Sequence, residues 1–397
     1  MILDDLIVMK KVCTGNYAAA MGANRSKVKV IAAYPITPQT MIVEHCAEFI
    51  ASGDLNAEYV HVESEHSAMS VCISAEATGV RTFTATSSQG LALMHELMSI
   101  ASGTRLPIIM PVANRSIAAP ISIWGEFNDI MPERDSGWLS VFCENGQEVF
   151  DMIIQGYKIA ENKDVLLPIM VNLDAFTLTH TVEEINFYEQ DDIDKFLPDY
   201  KPEHAYLNPD EPMAVGIFTP PEYVMEMRYQ TEIAMQKSKE IIENVTKEFN
   251  SQFGTNYHGL IEEYKMDDAE VALITTGTLT SLGRKVVDEL RAQNKKAGLI
   301  KLRFFRPFPI EALQKTTENL KTLGVFDKSV SYGSGGPIYI ETKNALYSYT
   351  IPIIDFIAGL GGRDITVNDV REMYNILFET RDRKPQNEIV WLNVRKN

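Results

Sequence analysis

Four short stretches hold residues whose types and spacing suit chemistry. In "VESEHSAMS", residues 62–70, Glu63, Glu65 and His66 crowd the point where an extended run turns helical. Carboxylates there are favoured by the helix dipole and can simply cap the helix. The alternative is one buried glutamic acid of raised pKa that shares a proton with a ligand nitrogen. In "AAYPITPQT", residues 32–40, Pro35 and Pro38 hold Ile36 and Thr37 in an extended turn. The Thr37 hydroxyl then either receives a carboxylate or carbonyl oxygen or caps the next helix. "TFTATSSQGLALMHE", residues 82–96, sets small hydroxylated residues before Gln89-Gly90. Backbone N–H groups can approach a ligand at such a turn, although the glycine and lysine spacing of a P-loop or dinucleotide site is missing. In "PVANRSIAAPISIWGEFNDIMPERDSGW", residues 111–138, Arg115 directly follows an apolar strand. A guanidinium there binds a carboxylate through its fork or pairs with Glu126, Asp129 or Asp135.

Loops so far apart in sequence need a scaffold that gathers them at one edge. From about 28 to 180 the chain alternates "KVKVIAAY", a helix near 39–52, "AEYVHV", a helix near 65–79, "VRTFTATSS", a helix near 90–102 and "LPIIMPVAN". Strand, crossover, strand implies an α/β fold with a parallel sheet, whose ligands sit at the carboxyl ends of the strands. "VLLPIMVNLD" at 165–174 reads as one more buried strand. Residues 183–220, acidic and proline-rich, read as an irregular connector, and 221–249 as a helix bridging two domains, a solvated spacer for preference. A second α/β unit with its own core over roughly 268–370 runs through "AEVALITTGTLTSLGRKVVDEL", "KAGLIKLRFFRPFP" and "PIYIETKN". The expected division is 1–250, connector and bridging helix included, and 251–397.

Composition narrows the partners. A chain of 397 residues, 45% apolar, exceeds what one core usually serves. The 37 Lys+Arg against 54 Asp+Glu give a formal charge of −17, which repels a phosphate backbone, so no nucleic-acid partner is expected. No stretch approaches the roughly 20 apolar residues of a membrane span, and acids stand where a signal peptide carries base. The expected compartment is the cytoplasm, without membrane contact. Cys13, Cys46, Cys72 and Cys143 form no C-x-x-C pair, so any cluster or metal belongs to a partner.

In chain order, YPITP, E-x-E-H, T-A-T-S-S-Q-G-L, N-R with a downstream R-D-x-G-W, and F-R-P-F-P at 305–309 resemble the α subunit of the 2-oxoacid:ferredoxin oxidoreductases, of the pyruvate:ferredoxin oxidoreductase or pyruvate synthase type. The resemblance implies a thiamine-pyrimidine-type parallel-sheet domain followed by a transketolase-C-like α/β domain. It implies that Thr37 and Arg115 contact the 2-oxoacid carboxylate, with Phe127 and Asp129 in the same substrate site. Glu65 would bond the aminopyrimidine ring of thiamine diphosphate, with Gln89 and Gly90 beside the cofactor. The G-D-G…N diphosphate motif is not in the sequence. By resemblance a β subunit supplies it with Mg²⁺, a ferredoxin-like δ subunit supplies [4Fe–4S] clusters, and a γ subunit completes the assembly. The reaction implied is oxidative decarboxylation of a 2-oxoacid with CoA to acyl-CoA and CO₂, electrons passing to ferredoxin, with this chain inactive alone.

One departure stands out. Relatives acting on pyruvate resemble "NIWNDHQD" where this chain has "SIWGEFND", so Phe127 replaces a histidine and is expected to enlarge or dry the substrate pocket. Thr37 argues against oxalate, because the similar oxalate enzyme carries Arg there. Pyruvate comes first. An aromatic or branched 2-oxoacid such as phenylglyoxylate follows, with ferredoxin or, through a flavoprotein subunit, NAD as acceptor. The rivals are a noncatalytic scaffold subunit and a self-contained transketolase-type enzyme.

Overall fold

The computed structural model describes residues 8–202, 206–381 and 385–395; the acidic opening, 1–7, and residues 203–205 of the expected connector lie outside them. The strands in chain order are β1 (Val8–Thr14), β2 (Val30–Ala32), β3 (Glu58–Val60), β4 (Thr82–Phe83), β5 (Ile109–Asn114), β6 (Leu139–Phe142), β7 (Ile169–Asp174), β8 (Val182–Tyr188), β9 (Ile261–Tyr264), β10 (Val271–Thr275), β11 (Ala297–Leu302), β12 (Phe304–Arg306), β13 (Thr322–Asp327), β14 (Ile353–Ile357) and β15 (Ile389–Trp391). They build a seven-stranded sheet of order β12-β6-β7-β5-β4-β2-β3, a six-stranded sheet of order β15-β14-β13-β10-β11-β9 and the pair β1-β8. The mixed α/β architecture read from the sequence is what the chain adopts.

Central strands explain their own composition. Every residue of β5 (IMPVAN), β7 (IMVNLD) and β10 (VALIT) is buried, as expected where helices cover both faces of a parallel sheet. β2 pairs with β3 on one side and β4 on the other, all parallel. The chain therefore reverses its course across the sheet at β2, and the loops leaving β2, β3, β4 and β5 open together at one edge, the crevice where such sheets hold ligands. Pro111 within β5 has no N–H to give. The β4–β5 ladder is accordingly broken, reduced to Phe83↔Ile109 and an isolated bridge at Thr86↔Val112. On its other edge the carbonyl of Ala85 accepts from Gln39 Nε2 of the β2 loop at 3.1 Å.

Two expectations are corrected. The segment 183–220 is not irregular from its start: β8 pairs antiparallel with β1, and Gln190–Phe196 is helical. Its acids masked a period-2 pattern in which Ile185 and Phe187 turn inward, while Glu184 meets Lys10 of β1 at 2.8 Å. The bridging helix, Pro221–Phe253, is solvated only in its first half; Ala234, Met235, Ile242, Val245, Phe249 and Phe253 are buried at helical spacing. "PIYIETKN" falls in the helix Pro337–Ala345, with Pro337 in its first turn.

The two large sheets interlock. β12, from F-R-P-F-P, crosses over to pair antiparallel with β6. Beside it, buried Lys301 meets Glu144 at 3.0 Å and Glu148 at 2.8 Å, and Arg303 meets Glu148 at 3.0 Å. Burial opposes the charge of Glu148, but Lys301 and Arg303 prevail and hold its pKa down at about 2. Among the described residues no helix is long and apolar enough to cross a membrane.

Candidate active site

Glu65 opens the helix Glu65–Glu76 that follows β3. Capping is done by Ser64, whose hydroxyl accepts from the backbone of Ser67, and the exposed Glu63 accepts from Ser67 Oγ at 2.5 Å. Glu65 is spared both duties. It is only 7% exposed, yet among the described residues no group donates a hydrogen bond to its carboxylate. Room for it comes from the next loop: a Cβ at Gly90 would lie 2.6 Å from Glu65 Oε1 and 2.5 Å from Thr86 Oγ1. The Thr86 hydroxyl is itself buried without a partner. Unlike the Thr86 hydroxyl, neither Glu65 oxygen is fully buried without a partner, so the carboxylate opens to a ligand arriving at this edge.

Arg115 stands at the end of β5, half-buried. Nη1 donates to the Thr37 carbonyl at 2.7 Å, Nη2 to Gln89 Oε1 at 3.1 Å and Nε to the Ser122 carbonyl at 3.0 Å. The alternative of an ion pair to Glu126, Asp129 or Asp135 is not what forms: Asp135 lies near Arg134 and Arg306, and Glu126 accepts from the backbone of Gly361. Burial lowers the Arg115 pKa, as expected of a cation held by neutral oxygens. An anion arriving there meets a guanidinium without an ion-pair partner, its charge offset only in part by nearby Asp129.

Thr37 is exposed and does not cap the helix Thr40–Ser52, which begins at Gln39 without a side-chain cap. Gln39 itself is fully buried and pins the turn, Nε2 donating to Tyr34 O at 2.8 Å and Ala85 O at 3.1 Å. The Y-P-I-T-P turn is thereby tied to the segment that follows β4.

Asp129 is brought to the cluster but faces inward. Its carboxylate accepts from the backbone of Arg115 at 2.9 Å, the backbone of Ser88 at 3.0 Å and Asn114 Nδ2 at 3.1 Å. Burial pushes its pKa up to about 7 against the pull of those bonds. With its oxygens so engaged, it braces two strand-end loops. Gln89 points at Arg115, not Glu65, while the adjacent Gly90 backs Glu65. Phe127 is not brought to Thr37 and Arg115: it packs on Phe142 at 4.8 Å between ring centres and lines a cavity of about 540 Å³ with Asp174, Phe326 and Lys328.

The arrangement thus pairs an acid that can share a proton with a guanidinium and hydroxyl that can receive a carboxylate, on loops tied edge to edge. Glu65, packed against Gly90 with no donor to its carboxylate among the described residues, is chemically suited to share a proton with a ring nitrogen. Among the described residues no group of acids, histidines and cysteines could hold a metal ion. Gln39, Asn114, Ser88 and Ser122 were missed by sequence reasoning; only Gln39, directly after the second proline of Y-P-I-T-P, carried a local signal.

Residues 21–247 match the family model described as pyruvate flavodoxin/ferredoxin oxidoreductase, thiamine diP-bdg, and residues 269–370 that of pyruvate:ferredoxin oxidoreductase core domain II. The chain is 47% identical to pyruvate synthase subunit PorA of Methanothermobacter thermautotrophicus over 97% of its own length and 98% of the relative's. Identity is 48% to PorA of Methanocaldococcus jannaschii, over 97% and 98%. It is 44% to ketoisovalerate oxidoreductase subunit VorA of Pyrococcus horikoshii, over 98% and 99%. A 2-oxoglutarate:ferredoxin oxidoreductase from Magnetococcus marinus shares the fold at a TM-score of 0.71 and 18% identity, covering 94% of this chain and 65% of that one.

Proposed function

This chain belongs to the 2-oxoacid:ferredoxin oxidoreductase family, and from that premise we propose that it is the α subunit of a complex that oxidatively decarboxylates pyruvate with CoA to acetyl-CoA and CO₂. The observation that carries the reading is Glu65: a nearly buried carboxylate with no hydrogen-bond donor among the described residues, packed against Gly90 where any side chain would collide with it.

Thiamine diphosphate, when bound, supplies the nucleophilic carbon and the electron sink. The work of this chain is narrower. Glu65 holds a proton against the ring nitrogen of the aminopyrimidine. Arg115, without an ion-pair partner, grips the substrate carboxylate, and the exposed Thr37 hydroxyl donates to the same group. Asp129, Gln39 and Gln89 keep the strand-end loops in step. In this reading Asp129 braces Arg115 from behind and Phe127 supports the loop, neither touching substrate.

The diphosphate with its Mg²⁺ falls to a β subunit and the [4Fe–4S] clusters to a δ-type subunit, with a γ subunit alongside and ferredoxin as acceptor in the cytoplasm. The outer faces of the helices Glu65–Glu76 and Ser88–Gly103 support such a neighbour. On the second of these, Leu93 and Ile100 lie exposed on either side of Glu96, which meets His66 at 3.5 Å.

In the assembled complex, Glu65→Gln is expected to abolish decarboxylation while subunits still co-elute; near-normal turnover rules out the assignment. Similarity to VorA favours a branched 2-oxoacid as second reading. Comparing kcat/KM for pyruvate and 2-oxoisovalerate with methyl viologen as acceptor separates the two.

A further inference from the structure

Residues 122–129 carry both the acceptor of Arg115 Nε, the Ser122 carbonyl, and the carboxylate of Asp129 that accepts from Arg115 N. Between those points the loop is held, residue by residue, from the six-stranded sheet. Gly125 O accepts from Gly362 N at 2.8 Å. Glu126 Oε2 accepts from Gly361 N at 2.8 Å. Phe127 N donates to Lys328 O at 2.9 Å. Asn128 Oδ1 accepts from Val330 N at 2.8 Å.

The anchors are themselves stiff. Lys328 Nζ meets Asp174 at 2.6 Å with both side chains buried, and Thr278 Oγ1 donates to the other oxygen of Asp174 at 2.6 Å. Gly361 and Gly362 have φ of 62° and 73°, the left-handed region that favours glycine. That conformation turns their successive N–H groups onto the loop. A Cβ at Gly362 would meet Trp124 Cβ at 2.4 Å.

Ordinary packing between two sheets needs a few scattered contacts. Here every residue from 125 to 128 is registered, and the next residue accepts from the backbone of Arg115. The guanidinium, bonded to backbone and amide oxygens alone, takes its aim from where those oxygens stand. A bidentate grip tolerates only about half an ångström of error. Building on the carboxylate role of Arg115 set out above, we infer that the turn 359–362 and Glu126 are positioning groups for substrate binding. The second sheet sets the placement of Arg115 through the 122–129 loop, so the C-terminal half of the chain tunes affinity for the 2-oxoacid without touching it.

The test uses the assembled complex and steady-state kinetics in 2-oxoacid. Gly362→Ala, at an exposed position, and Glu126→Ala are each expected to raise KM about tenfold with kcat within about twofold. Glu126→Gln, which keeps an acceptor for Gly361 N, should restore KM. On an Arg115→Ala background neither change should raise KM further, because coupled groups are not additive. An unchanged KM in both single variants, with only the melting temperature lowered, overturns the inference and leaves the contacts structural. So does a full additional rise on the Arg115→Ala background. If Arg115→Ala itself leaves KM unchanged, the carboxylate reading falls and this inference with it; if Arg115→Ala raises KM and the loop variants do not, the inference alone falls.

Discussion

Gly90→Ala is the sharpest perturbation available at this site. The new methyl would lie 2.5 Å from Thr86 Oγ1, 2.6 Å from Glu65 Oε1 and 2.9 Å from Glu65 Cδ. Ordinary contact needs roughly 3.5 Å or more, so something must move by about 1 Å. Thr86 is fully buried, its backbone tied on both sides, N to Pro111 O at 3.2 Å and O from Ala113 N at 3.0 Å. The free end of the Glu65 side chain and the Thr86 hydroxyl therefore both yield. Overpacking costs about 1–3 kcal/mol, partly offset by the gain of about 0.5–1 kcal/mol from alanine over glycine in a helix. The net loss of stability is up to about 2 kcal/mol, a melting shift of a few degrees. Catalysis suffers more, since about 1 Å of misplacement costs on the order of a hundredfold, or about 2.7 kcal/mol of barrier. Methyl viologen reduction by the assembled complex with pyruvate and CoA should show that loss in kcat while thermal melting stays near wild type. Gly103→Ala, in the same helix with nothing within 4 Å of its new methyl, is the control and should leave activity unchanged. A Gly90→Ala enzyme with kcat within about threefold of wild type would refute the claim that this glycine holds the space for Glu65.

Two further outcomes follow from buried charge. Burial lifts Glu76 from 4.5 to about 8, so the folded chain holds a proton there that the unfolded chain releases above pH 4.5. Stability from this site falls as pH rises from about 4.5 to 8. Glu76→Gln, measured by denaturant titration across that window, should flatten the slope, and an unaltered slope would acquit Glu76. Lys301→Met leaves buried Glu144 to Arg284 and buried Glu148 to Arg303 alone, removing contacts of 3.0 and 2.8 Å. The expected cost is about 3–5 kcal/mol in chemical denaturation, and a loss under about 1 kcal/mol would mean that the remaining arginines suffice.

Much of the site was legible because its signals are local. Apolar runs ending in prolines, small hydroxylated residues or a lone arginine mark the carboxyl ends of parallel strands whatever surrounds them. The misreadings arose where composition hid period. In β8, glutamates beside Ile185 and Phe187 looked like connector, although the alternation was present and β1 supplied the matching lysine. In Pro221–Phe253, charges evenly spread along the helix concealed a buried stripe that begins only at Ala234. Asp129 and Phe127, two positions apart, face different surroundings: one meets the backbone of Arg115, the other a cavity between the sheets.

From the sequence by itself came the alternation of strand and helix, and the acid, hydroxyl and guanidinium at the strand ends. Tertiary structure alone decided which acid was sealed in: Glu63 and Glu65 share a helix start, yet only Glu65 faces Gly90. It alone left Arg115 without a carboxylate partner, and it alone anchored the 125–128 loop to a sheet two hundred residues away. Propensity and periodicity act over a few residues of one element, whereas the burial and partners of a charge depend on which loops a sheet topology makes neighbours.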